Sequence, residues 1–140
     1  MAEFLCIISF SFFSILIAGA DIKTGAVPRA AFVFAFPFFF TLKILPAGLT
    51  PIWLTIAGLL VGLMFFLLVF FISKKKLGLA DVWYSALTGM ILGPFWWYAA
   101  IGSACFTGIV YMVISKRRII PFIPFMAAGS IAAVMVQFFR

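Results

Sequence analysis

Three acidic side chains occur in this sequence, Glu3, Asp21 and Asp81, and there is no histidine. That inventory narrows the chemistry at once. A Ser–His or Cys–His nucleophile cannot be assembled without the imidazole that activates it. Cys6 and Cys105 both sit inside apolar runs and read as small buried hydrophobes. A tetrahedral zinc site needs three or four nitrogen or sulfur ligands, so neither a metal nor any other cofactor is expected. What remains is a pair of carboxylates. Two carboxyls held within a few ångströms cannot both ionise readily, so one keeps a proton. The ionised partner can then draw a proton from water while the protonated one polarises a scissile carbonyl. If the chain is an enzyme, this is the hydrolytic machinery it offers.

Position supports the pair without deciding its role. Asp21 follows the first apolar run, and Asp81 lies in Gly78-Leu79-Ala80-Asp81 after a run of three lysines. An acid at or inside a bilayer edge is costly, which favours function. A structural account is also open: Asp81 as the cap of a helix, and Asp21 as a loop residue beside Lys23. Glu3, at the terminus, reads as a solvated end charge.

The elements that must carry these residues are transmembrane helices. Of 140 residues, 67% are hydrophobic and 9% charged, and the mean hydropathy is +1.34. A soluble domain carries about 25% charged residues. A soluble enzyme, a disordered tail and a disulfide-stapled module are therefore excluded. The expected class is an all-α polytopic membrane protein, a single domain over residues 1–140. Charges, Pro and Gly cut the chain into six spans: Phe4 to Ala20, Ala30 to about Leu45, Ile52 to Ile72, two between Val82 and Ser115 divided at Gly93-Pro94, and Ile119 to Phe139. The fourth span is too short if it starts at Asp81, so it is expected to begin earlier and carry that residue below the interface. A signal-peptide reading of Ala18-Gly19-Ala20 is disfavoured, because the residues before the apolar run include no base.

The formal charge of +7 is explained by topology rather than by a nucleic-acid partner. Lys23, Arg29, Lys74, Lys75, Lys76, Lys116, Arg117 and Arg118 fall after odd-numbered spans, against Lys43 and Arg140 on the other side. The positive-inside rule then puts those three loops in the cytoplasm and both termini outside. The basic clusters are also suited to anionic lipid headgroups.

Three segments together resemble the type IV prepilin peptidases and the related archaeal preflagellin peptidases, intramembrane aspartyl proteases of the GxGD kind. They are Asp21-Ile22-Lys23-Thr24-Gly25-Ala26-Val27-Pro28, then Gly78-Leu79-Ala80-Asp81-Val82, then Pro121-Phe122-Ile123-Pro124-Phe125. The resemblance implies that Asp21 and Asp81 are the catalytic pair, with Gly78, Ala80, Pro121, Phe122 and Pro124 supporting the site. It implies an inner-membrane peptidase of the type IV pilus kind, cleaving the leader of prepilin-like proteins at the cytoplasmic face. Ala80 stands where the motif has its second Gly. The cysteine-bearing cytosolic insertion of the larger, methylating members is missing.

Two other readings use the same residues. A small transporter would couple protons or cations through the acids, which would then be expected near the bilayer midplane. A degenerate peptidase kept as an assembly scaffold is suggested by Ala80. Elsewhere, Pro121 and Pro124 suit a helix start whatever the function. The Phe-rich second helix and Trp96-Trp97-Tyr98 read as packing and interfacial anchors, and Gly58, Gly62, Gly89 and Gly93 as points of close helix contact.

Overall fold

The computed structural model describes residues 2–24, 27–44, 51–74, 78–116 and 122–139. Within them the protein is all-helical: α1 (Ala2–Thr24), α2 (Arg29–Ile44), α3 (Ile52–Ile72), α4 (Leu79–Ser115) and α5 (Ile123–Phe139). Three of these, Phe4–Thr24 of α1, α3 and α4, are long and apolar enough to cross a membrane, and α5 is a shorter apolar helix. Exposed Phe, Ile and Leu side chains on every helix face lipid rather than water. This is an all-α membrane protein.

Helix α4, at 37 residues, would be about 55 Å long if straight. It is not straight. Gly93 sits at φ 82°, ψ 168°, a region open essentially to glycine. The following Pro94 enforces an extended ψ on the residue before it and opens the second arm, where its missing N–H costs nothing. Residues 85 and 97 would be about 18 Å apart along a straight helix, yet the Trp97 indole N–H donates to Ser85 Oγ at 3.0 Å. The chain therefore doubles back at Gly93. The expected division falls at this break, although the helix runs on either side of it without a separating loop.

The first arm of α4, residues 79–92, is the centre of the protein. All of it from Asp81 to Leu92 is buried except Trp83, and a helix enclosed on all sides needs no polar face. Helix α3 packs against it through small residues. A methyl on Gly58 would overlap the Gly89 carbonyl, and one on Gly62 would crowd the Ser85 carbonyl, so the two backbones touch as small-residue membrane interfaces do. Helix α5 crosses both arms: Ser130 meets Thr88 on the first, and Gly129 backs onto Ala100 of the second. Helix α1 packs on α5 and α2.

Two local expectations change. Asp21 does not end the first helix; α1 continues through Thr24, whose hydroxyl returns to the Ala20 carbonyl at 2.7 Å. Of the two roles read for Trp97, packing holds and interfacial anchoring does not, since the residue is 1% exposed. The ring packs edge-on against Phe65 and Phe66, filling the space that Gly62 and Gly89 leave open.

Candidate active site

Asp81 is placed by the start of α4. Gly78 is the N-cap, in extended conformation and with no side chain to cap the helix. The Asp81 carboxylate, three residues on, accepts the Gly78 backbone N–H, and the Asp81 N–H donates to the Gly78 carbonyl at 3.1 Å. This is the backward half of a capping box, with Asp in the position usual for Glu or Gln. The glycine has a second use. A Cβ at residue 78 would stand 3.2 Å from Asp81 Oδ2, so its absence leaves the carboxylate room. Ala80 is an ordinary helical residue of the first turn.

Asp21 is placed by α5 as much as by its own helix. The last turn of α1 carries it to the start of α5, where the backbone N–H of Ile123 donates to its carboxylate. Helix starts leave such N–H groups without internal partners and favour negative charge beside them. The Phe122 carbonyl accepts from Phe125 and Met126, each at 3.1 Å, which makes Phe122 the residue that starts the helix. Its ring leans on Phe66 of α3, with centroids 6.3 Å apart. Pro124 sits in the first turn, where no N–H is required. Phe122 and Pro124 therefore set where α5 begins, without lining the cleft themselves. Pro121 lies outside the described residues.

Asp21 and Asp81 share a cleft of about 220 Å³ lined also by Val27, Arg29, Phe32, Gly78, Leu79, Ala80, Trp83 and Ile123. The two carboxyls are close enough to feel each other's charge. The volume is below the several hundred cubic ångströms of a drug-sized pocket and suits a peptide group with a few waters. Among the described residues no group of three or more His, Cys, Asp or Glu comes together. Chemically, paired carboxyls facing a small cleft can activate water against a carbonyl.

Sequence reasoning points to Asp21, Asp81, Gly78 and Ala80; Val27, Leu79 and Ile123 also line the cleft from the three motif segments, and Arg29, Phe32 and Trp83 line it from outside them. Arg29 was read only as a topological charge, although it directly follows the Asp21-to-Pro28 segment. Trp83, which packs edge-on against Phe36, and Phe32 carry no signal, since one more aromatic residue stands out nowhere in this chain.

A comparison with curated proteins and one with solved structures returned no match. Among family models, that of the type IV leader peptidase family matches residues 8–113. The match takes in both aspartates and most of the described chain, and the protein belongs to the type IV leader peptidase family.

Proposed function

We propose that this chain is an aspartic-type endopeptidase that removes the leader from prepilin-like proteins at the cytoplasmic face of the plasma membrane. The observation that carries the reading is the meeting of Asp21 and Asp81, from α1 and α4, in one small cleft. One carboxylate takes a proton from the attacking water while the other, protonated, hydrogen-bonds the scissile carbonyl; the roles reverse as the amine leaves. The Ile123 and Gly78 N–H groups hold the two carboxyls in place between turnovers. No cofactor takes part.

With each arm of α4 counted as a crossing, the chain spans the membrane six times. Lys23, Arg29, Lys74 and Lys116 then gather at the cleft end, and the positive-inside rule turns that end to the cytoplasm. Anionic lipid headgroups would lie against this face, and a substrate would be bound mainly through its apolar helix. A transporter reading is less well supported, because both acids sit near helix ends and not at a broken helix in mid-membrane. A degenerate scaffold is also less well supported, since Ala80 fits its helical position without displacing Asp81.

The test is co-expression with candidate prepilin-like precursors from the same genome. Wild type should shorten a precursor, while Asp21→Asn and Asp81→Asn should each insert normally and leave it intact. Near-normal cleavage by either variant would sink the dyad.

A further inference from the structure

Asp21 and Asp81 stand on helices whose main chains scarcely approach each other, since α1 packs on α5 and α2. Beneath the cleft, the side chain of Tyr84 joins α4 to α1. Tyr84, three residues after Asp81, lays its ring beside Phe10 with centroids 6.4 Å apart and planes 20° from parallel. Its hydroxyl donates to Ser14 Oγ at 2.7 Å. Phe10 and Ser14 are one turn apart on α1, and Ser14 lies two turns before Asp21. Phe10, Ser14 and Tyr84 are all 0% exposed. The phenol oxygen also meets the Ser130 and Thr88 hydroxyls, whose own protons go to the Met126 carbonyl at 2.6 Å and the Tyr84 carbonyl at 2.9 Å.

Ring contacts tolerate sliding of an ångström, whereas a hydroxyl–hydroxyl bond weakens steeply with distance and angle. A phenylalanine would fill the same space and stack on Phe10, so packing alone does not call for the hydroxyl. We propose that the Tyr84 hydroxyl, bonded to Ser14, is a positioning group that fixes how far Asp21 stands from Asp81. The inference rests on the dyad reading above for its catalytic consequence. The two carboxyls must meet one water and one carbonyl together, and a misplacement of about 1 Å can cost about 100-fold in rate.

The experiment has a catalytic arm and a geometric one. In the first, Tyr84→Phe and Ser14→Ala should each lower kcat on the order of tenfold while KM moves less than about twofold, and the double variant should be no worse than Tyr84→Phe alone. Multiplying losses would overturn the proposal, as would normal turnover in either single variant. In the second, Asp21→Cys and Asp81→Cys are combined in a Cys6→Ala, Cys105→Ala background and treated with a short bis-maleimide. Adding Tyr84→Phe or Ser14→Ala should lower the cross-linking yield severalfold, and Thr107→Val, which removes an exposed hydroxyl, should leave it unchanged. An equal yield in all forms would overturn the proposal. Absence of cleavage by wild type would instead strike the dyad reading, and cross-linking would then decide the clamp by itself.

Discussion

Beside each aspartate stands a residue whose smallness or backbone, not its side-chain chemistry, does the work. At Gly78 the missing Cβ keeps space next to Asp81 Oδ2. Gly78→Ala would press a methyl on the carboxylate at 3.2 Å, a contact relieved by turning the carboxyl a few tenths of an ångström. Turnover should therefore fall severalfold with little change in thermal stability, measured together on one prepilin-like substrate in detergent. Ala80 behaves differently, because it lies in the helix. Ala80→Gly should leave the enzyme active and cost at most about 0.5–1 kcal/mol of stability. A fall in turnover at unchanged stability would show that the alanine is fitted to this cleft. The aspartates were legible in the sequence because acids are so scarce in it. Ile123 was not, for a physical reason: it acts on Asp21 through its backbone N–H, which every residue but proline possesses. The prolines around it were readable as a helix start, but not what that start would point at.

Among the helices, α4 shows what a break can achieve. Gly93 has open space around its missing Cβ, so any cost of a side chain there is conformational. Gly93→Ala should destabilise the fold by about 1–3 kcal/mol, measured by unfolding in detergent, without altering the cleft at the other end of the arm. A stability change near zero would mean that the reversal at residue 93 does not need glycine. Gly93-Pro94 marked this break in the sequence, and α3 was readable to the residue because its apolar run has clear stops. Beyond Gly58, Gly62 and Gly89, which the sequence marks as points of close contact, the inner and outer faces of the helices were not readable. Apolar side chains face lipid as readily as they face the core, so the polar contrast that betrays the inner face of a soluble helix is lost. Among the described residues, the buried hydroxyls of Ser14, Thr55, Ser85, Thr88 and Ser130, together with the buried Gly58, Gly62 and Gly89, mark the inside. Trp97 follows the same logic: its indole N–H needs a buried acceptor, and Ser85 supplies one.

At the scale of the whole molecule, one end of the bundle gathers the cleft and the other gathers the reversal at Gly93. Reporter fusions after Lys76 and after Arg118 should be active in the cytoplasm, and one within residues 46–51 should be active outside. A cytoplasmic reporter within residues 46–51 would break the six-crossing topology. The charge asymmetry made this orientation an expectation from sequence alone, whereas the order in which helices touch could come only from the fold. That order bears on how the protein is made. The cleft draws on α1, α2, α4 and α5, and Asp21, near the start of the chain, is held by a backbone N–H of α5. Synthesis delivers helices to the membrane from the N-terminus onward. A nascent chain still on the ribosome can thus carry both aspartates and α3 and yet lack the partner that fixes the first of them. The cleft is finished only when a late helix docks on the earliest one, so a half-made chain lacks the completed site that the proposed reading requires.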